Sequence, residues 1–263
     1  NATPDSFSDG SELAKNSEDK FVVDIDKALF RAESFMKQGA VIVDVGGEST
    51  RPGAIEISAE EELDRVIPII QAINANLDLC ISVDTSSAQV MTEAINAGAE
   101  IVNDIRALSS ANALSVVADS QVAVCLMHMQ GQPRTMQQSY AYDDVIEEVR
   151  RFLETRVVAC KSVGISSERI LIDVGFGFGK SLDQNFKLLK CLAHFKNLNL
   201  PIVVGISRKS MIGRLVNRLP RECVAGSITA TILALENGAN IVRTHDVAAT
   251  VDAIRVHSAY TLA

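Results

Sequence analysis

Seven short apolar runs recur along this chain, and each ends at a polar side chain. The runs are rich in Val and Ile and nearly continuous, which is typical of strands buried on both faces of a parallel sheet. They are separated by segments with apolar residues at helical spacing, such as 63–73 and 145–157. The runs occupy residues 40–45, 80–84, 100–104, 122–128, 169–173, 201–205 and 240–245. This alternation predicts a parallel α/β fold.

The polar residues that end the runs favour one architecture over another. They are Asp44, Asp84, Asn103, His128, Asp173, Ser207 and the pair Arg243 and His245. In a TIM (β/α)8 barrel the carboxyl ends of the strands converge on one mouth. An open doubly wound sheet would tolerate seven strands but would normally bind ligands at one switch point. Polar groups at every strand end therefore favour the TIM barrel.

The length of the chain fits one barrel. A TIM barrel takes about 250 residues, and the chain has 263, so we expect a single domain over residues 1–263. An eighth strand is needed, and the chain opens with Asn1 on a polar loop. We therefore expect the first strand to lie upstream of residue 1. Capping signals for the helices occur at Ser58, Ser86, Asp144 and Ser181.

Composition excludes several classes of protein. The net charge of −8 argues against nucleic acid as a partner. The best candidate for a membrane span, residues 227–242, is interrupted by Glu236, Asn237 and Gly238. The five cysteines are odd in number and widely spaced, which indicates reduced thiols. We expect a cytoplasmic protein that acts on small molecules.

Four of the strand-end and loop residues suit one flat ligand. Asp84, Asn103, Asp173 and Lys209 offer two carboxylates, an amide and an ammonium. Any one of the first three could equally be a helix cap. Together at a barrel mouth, they suit a heterocycle with an amidine-like edge.

Two segments near the end of the chain suit an anion. Residues 207–210, Ser-Arg-Lys-Ser, precede a predicted helix, and residues 243–245, Arg-Thr-His, follow the last run. In barrels the loops after the last two strands frequently bind phosphate. A solvated basic turn is the alternative interpretation of 207–210.

Two other features are given a structural interpretation. The glycine-rich segment 175–181 misses the phosphate-loop pattern because Val174 stands where a glycine is required. It is equally well explained as a tight turn between a strand and a helix. His128 has no second ligand at metal spacing, so we expect it to pack or to form hydrogen bonds.

Several longer phrases of the chain, in order, resemble the dihydropteroate synthase family. They are residues 1–10, 44–53, 82–85, 103–105, 126–131, 175–180, 207–213 and 243–245. The resemblance implies a TIM-barrel transferase of folate biosynthesis that requires Mg²⁺ and forms a homodimer. Its reaction joins 6-hydroxymethyl-7,8-dihydropterin diphosphate and 4-aminobenzoate to give 7,8-dihydropteroate and pyrophosphate, by a dissociative mechanism through a pterin cation.

The same resemblance implies the site residues. The pterin site comprises Asp84, Asn103, Met127, Asp173 and Lys209. The diphosphate site comprises Thr50, Arg243 and His245, and Asn1 is the magnesium ligand. The 4-aminobenzoate site comprises Thr50, Arg51, Pro52, Phe178 and Ser210. The catalytic residues are Asp9, Asp84, Lys209, Arg243 and His245. One departure is Val174, since the family often has proline between the aspartate and the glycine.

Two other functions are compatible with these residues. A methyltetrahydrofolate-dependent methyltransferase would use a similar pterin site on the same fold. A pterin-binding module without catalysis would keep the site but release no pyrophosphate. The phrases around Asn1 and Thr50 and the segment 207–210 favour the synthase.

Overall fold

A computed structural model of the chain describes residues 1–3, 14–15, 22–49, 54, 56–131, 136 and 140–263. Its strands are β1 Ala14–Lys15, β2 Val22–Val23, β3 Ile42–Gly46, β4 Cys80–Asp84, β5 Ile101–Asp104, β6 Ala123–Met127, β7 Ile170–Asp173, β8 Ile202–Gly205 and β9 Ile241–Arg243. Its α-helices are α1 Ile25–Lys37, α2 Ala59–Asn76, α3 Ala88–Ala97, α4 Ala113–Ala118, α5 Val145–Ser162, α6 Leu182–Lys190, α7 Ser210–Val216, α8 Val224–Glu236 and α9 Val247–Thr261. Short 3₁₀ helices cover Ser167–Arg169, Leu192–Leu198 and Pro220–Glu222.

Strands β3 to β9 form one parallel sheet in sequential order. Sequential order is the order of a barrel, whereas a doubly wound sheet reverses its order at a switch point. The sheet is also curled. This is seen from the contact between its first and last strands, since Arg243 Nε at the end of β9 lies 2.6 Å from Asp44 Oδ2 on β3. The predicted barrel-type α/β fold is confirmed, and the doubly wound alternative is wrong. The strand expected upstream of residue 1 stays a prediction.

Successive strand residues point to opposite faces of the sheet, and both faces of the central strands are buried. Val43, Val83, Val102 and Val124 are buried against the apolar faces of the helices. The alternate set on the inner face carries the polar side chains that the sequence singled out. Burial of the outer set under the helices is the main source of stability, at roughly 25 cal/mol per Å² of apolar surface removed from water.

Asp104 shows how this alternation separates structural from functional carboxylates. It lies next to Asn103 but on the outer face, where it is fully buried. Its carboxylate accepts hydrogen bonds from the backbone N–H groups of Arg106 and Leu108, at 2.8 and 2.7 Å. Asp104 therefore stabilises the turn after β5 and does not face the interior of the curled sheet.

Polar side chains cap the first turns of several helices. Ser58 accepts from the N–H of Glu61, and Ser181 forms a reciprocal pair with Gln184 at the start of α6. The cap predicted at Ser86 is wrong, because α3 begins one residue later with Ser87 as its N-cap. Ser86 donates to Asp104 instead.

None of the helices in the described part of the chain has the length and apolar character needed to cross a membrane.

Candidate active site

The carboxylate of Asp44 is the centre of a hydrogen-bond network on the inner face of the sheet. It accepts from Ser82 Oγ at 2.6 Å and from Asn103 Nδ2 at 3.2 Å. Arg243 donates to it through Nε at 2.6 Å and donates to Asp84 Oδ2 through Nη2 at 3.0 Å. The network joins β3, β4, β5 and β9, so residues distant in the sequence gather in one cavity.

Asp44 lies at the centre of this network, although no specific role was predicted for it from the sequence. The sequence showed it as a polar residue at the end of the first run, but its neighbours in space could not be predicted. Its carboxylate accepts from Asn103 Nδ2, so the carbonyl oxygen of that amide remains available as an acceptor. Asp44 also holds the guanidinium of Arg243 at the centre of the mouth, although 41% of the Arg243 side chain is exposed.

Asp173, Lys209 and the segment after β7 form the opposite side of the cavity. Asp173 Oδ1 accepts from the N–H of Gly175 at 2.7 Å. Lys209 Nζ donates to the carbonyl of Phe176 at 2.5 Å and lies 4.7 Å from the centre of the Phe178 ring. A cation over an aromatic face is an attractive arrangement that fixes both side chains. Lys209 thus has a defined position within electrostatic reach of Asp173.

Burial and neighbouring charges shift the pKa values of these groups. Burial, followed by the charge of Asp44, raises the pKa of Asp84 to about 7, although Arg243 acts in the opposite direction. Burial also raises the pKa of Asp173, with Lys209 opposing it. Burial lowers the pKa of Lys209 to about 8 against the attraction of Asp173. Such opposed shifts in one cavity are typical of functional sites.

Cys125 lies within reach of the same charges, and sequence analysis gave it no role in the site. Burial and then the carboxylates Asp173, Asp44 and Asp84 raise the pKa of its thiol well above the usual value. The thiol is therefore neutral and forms part of the floor between β5 and β7. The sequence did not predict this position, because Cys125 lies within an apolar run.

The loops after β8 and β9 are tied together at the rim. Ser207 Oγ accepts from the N–H of His245 at 3.2 Å and lies 3.1 Å from His245 Nδ1. Arg208 forms a two-point ion pair with Asp246, with nitrogen–oxygen distances of 3.0 and 2.5 Å. These contacts place the 207–210 segment and the 243–245 segment side by side, as an anion site requires.

Some of the remaining predicted site residues lie in the described part of the chain and others do not. Met127 is buried at the end of β6, directly beside Asp173 in the strand register. Ser210 is exposed at the start of α7. Asn1 lies over the end of β3, where a Cβ built on Gly46 would be 3.1 Å from Asn1 Oδ1. Asp9, Thr50, Arg51 and Pro52 lie outside the described residues.

Replacement of Asp44 by Asn is expected to shift the pH dependence of the site. The charge of Asp44 raises the pKa of Asp84, so removing it lets Asp84 ionise at lower pH. The acid limb of the kcat/KM profile should move down by on the order of one pH unit. Ser82→Ala is the matched control, because it removes a hydrogen bond from Asp44 without changing its charge. An unchanged acid limb in Asp44→Asn would contradict this account.

Comparison with known proteins gives a consistent result. The family model described as "Pterin binding enzyme" matches residues 1–245. The dihydropteroate synthase of Escherichia coli K12 is 50% identical over 256 residues, which cover 97% of this chain and 88% of that protein.

Solved structures agree with the sequence comparison. The Yersinia pestis dihydropteroate synthase, solved as a complex with a sulfonamide drug, matches with a TM-score of 0.93 and 45% identity over 99% of this chain and 91% of that one. The Xanthomonas albilineans dihydropteroate synthase in complex with 7,8-dihydropteroate matches with a TM-score of 0.84 and 44% identity over 91% and 89%. The chain therefore belongs to the family of pterin-binding enzymes and, within it, to the dihydropteroate synthases.

Proposed function

We propose that this chain is a transferase that condenses 6-hydroxymethyl-7,8-dihydropterin diphosphate with 4-aminobenzoate, releasing pyrophosphate and 7,8-dihydropteroate. The observation that carries the proposal is the gathering of Asp84, Asn103, Asp173, Lys209 and Arg243 around one cavity. A related synthase from Xanthomonas albilineans has been solved with 7,8-dihydropteroate bound.

The pterin ring is held by the deep part of the cavity. Asp173 is buried, and the charge of Lys209 opposes the rise that burial causes in its pKa. As a carboxylate it can accept two charge-assisted hydrogen bonds from the N–H and amino groups of the ring. Lys209 can donate to the ring acceptors, and Asn103 offers its carbonyl oxygen. Met127 supplies an apolar contact at the end of β6.

The diphosphate is held at the rim. Arg243 is exposed enough to meet it while remaining anchored to Asp44 and Asp84. Ser207 positions His245 beside Arg243. The family resemblance also implies Thr50 as a diphosphate contact, and Thr50 lies outside the described residues. These donors would stabilise the charge that gathers on the leaving pyrophosphate.

The reaction breaks the C–O bond at the pterin methylene and forms a C–N bond to the amine of 4-aminobenzoate. We propose a dissociative course in which the dihydropterin ring carries the developing positive charge. Asp84, once ionised, favours that charge, and Asp9 is proposed to assist from outside the described residues. The arylamine then attacks the methylene carbon and loses a proton.

Magnesium fits the donors at the entrance. Mg²⁺ typically takes few protein oxygens and keeps substrate phosphates and water as its other ligands. The amide oxygen of Asn1 lies at the end of β3 beside the cavity, and it would hold the ion. When bound, Mg²⁺ would neutralise charge on the diphosphate.

The 4-aminobenzoate site is proposed at the outer edge of the cavity. Phe178 offers an aromatic face beside Lys209, and Ser210 stands at the first turn of α7 near the carboxylate of the substrate. The other proposed contacts, Thr50, Arg51 and Pro52, fall outside the described residues.

We also propose a homodimer in the cytoplasm. Leu233 on α8 and Val256 and Tyr260 on α9 are exposed apolar side chains on adjacent helices, which a second copy would cover. Five free cysteines suit a reducing compartment. Light scattering on purified protein would measure the mass, and a monomer at micromolar concentration would refute the dimer.

The activity test uses the full-length protein with both substrates and Mg²⁺. Pyrophosphate release and formation of 7,8-dihydropteroate should depend on all three components. Binding of the pterin without release of pyrophosphate would refute the synthase and select the non-catalytic binding module. Omission of Mg²⁺ alone tests the metal, because retained turnover in its absence would refute that part of the proposal.

A further inference from the structure

Lys180 carries a buried amino group that the proposed reaction does not use. It follows the glycine-rich loop, defined here as residues 175–179, and only 3% of it is exposed. Its Nζ donates to the carbonyls of Gly175 at 2.8 Å, Phe178 at 3.0 Å and His128 at 3.3 Å. It also lies 3.0 Å from His128 Nδ1. Burying a polar group costs free energy unless it is hydrogen-bonded, so the four contacts of this amino group offset the cost of placing it here.

The contacts of Lys180 join two segments of the chain. One is the glycine-rich loop after β7, and the other is the segment 128–130 after β6. His128 is neutral here, because burial and then the charge of Lys180 lower its pKa to about 2. Its Nδ1 can therefore accept a hydrogen bond from the Lys180 amino group. The ring is fixed from the other side by Phe152, with centroids 4.9 Å apart in an edge-to-face arrangement.

Two glycines allow the loop to lie directly against this segment. Gly175 and Gly179 have φ of +70° and +62°, in the left-handed region that favours glycine. A Cβ at Gly175 would overlap the carbonyl oxygen of His128, and one at Gly179 would lie 2.5 Å from that of Gln130. The backbone of the glycine-rich loop therefore packs directly against the backbone of the segment 128–130. Lys180 links the two through its hydrogen bonds.

The glycine-rich loop also contacts Lys209 directly. Its Phe176 carbonyl accepts from Lys209 Nζ, and its Phe178 ring lies beneath the same ammonium. Its Gly175 N–H donates to Asp173, and its Gly177 N–H donates to Asn185. With its amides and carbonyls engaged in this way, the loop is a support for the cavity wall and not a phosphate cradle.

We propose that Lys180 is a positioning residue for the pterin site: it binds the glycine-rich loop to the segment after β6 and thereby holds Lys209 against Asp173. The inference deepens the proposed function, because it rests on Lys209 as a contact of the pterin. Lys209 would contact the ring in both the ground state and the transition state. Loss of its position should therefore raise KM for the dihydropterin diphosphate more than it lowers kcat.

The test compares Lys180→Met, which keeps most of the side-chain volume, with Lys190→Met on the exposed last turn of α6. In the ligand-free full-length protein, amide hydrogen exchange over residues 174–181 should rise about tenfold or more in Lys180→Met only. KM for dihydropterin diphosphate should rise about tenfold while kcat stays within about threefold of wild type. The exchange arm requires no substrate, so it stands or falls separately from the proposed function.

Two results would overturn the inference. One is wild-type exchange and KM in Lys180→Met, and the other is a fall in kcat as large as the rise in KM. If Lys180→Met does not fold, Gly179→Ala carries the test, because its Cβ pushes the loop from Gln130 while Lys180 is retained. The same rise in KM is expected there, and a wild-type KM would refute the role of the loop.

Discussion

Asp173→Asn is expected to lower kcat/KM for dihydropterin diphosphate by about 10³-fold, since two charge-assisted hydrogen bonds to the ring are each worth roughly 1.5–3 kcal/mol. The substitution also removes a charge that raises the pKa of Lys209 against the lowering caused by burial. One change thus weakens two contacts of the pterin. Steady-state kinetics, together with calorimetric binding of 7,8-dihydropteroate, would measure both losses.

Asp104→Asn is the matched control for this prediction. Asp104 is another buried aspartate at the end of a strand, but it faces the helices and holds the turn after β5. Its replacement should lower the melting temperature while kcat/KM changes by no more than about threefold. Equal losses of kcat/KM in the two variants would mean that Asp173 acts through stability and not by binding the ring.

Arg243→Lys is expected to lower kcat by about 100-fold, which is the range for removing one preorganised donor at a developing negative charge. Lysine keeps the positive charge but lacks the planar guanidinium group. The separate nitrogens of that group allow Arg243 to donate to Asp44 and Asp84 together. A lysine held by one of these carboxylates would no longer present a fixed donor to the diphosphate. Single-turnover release of pyrophosphate at saturating 4-aminobenzoate would measure the effect on the bond-breaking step.

The control for Arg243 is Arg255→Lys on the exposed face of α9. Arg255 is 74% exposed and pairs only loosely with Asp252, at 3.7 Å. Exposed pairs of this kind contribute roughly 0–1 kcal/mol, so neither kcat nor stability should change measurably. If Arg243→Lys kept kcat within about twofold of wild type, Arg243 would not be stabilising the leaving group.

Much of the candidate site could be predicted because strand periodicity and position along the chain are local properties. Asp84, Asn103 and Asp173 each follow an apolar run, and the carboxyl ends of parallel strands meet at one end of a barrel. The residue pattern predicted Lys209 at a flat ligand and Arg243 at an anion, and the resemblance to the family implied that these ligands are the pterin and the diphosphate. The structure brings these five residues together around one cavity.

Other features could not be predicted, because they depend on contacts between distant segments. Asp44 and Arg243 are 199 residues apart, and only the curl of the sheet brings their charges within 2.6 Å. Lys180 had no assigned role, since the direction of its side chain is set by a loop that packs on His128. In both cases the partner is chosen by tertiary packing and not by the neighbouring sequence.

The sequence by itself determined that strands and helices alternate, which strand ends are polar, and to which family the motifs are similar, because these depend on short-range patterns of side chains. The tertiary structure decided which face of the sheet each polar group occupies and which charges share the cavity. Asn103 and Asp104 illustrate the division, since one residue along a strand reverses the direction of a side chain. Burial against the helices makes Asp104 a structural group, whereas Asn103 joins the network of Asp44 on the inner face.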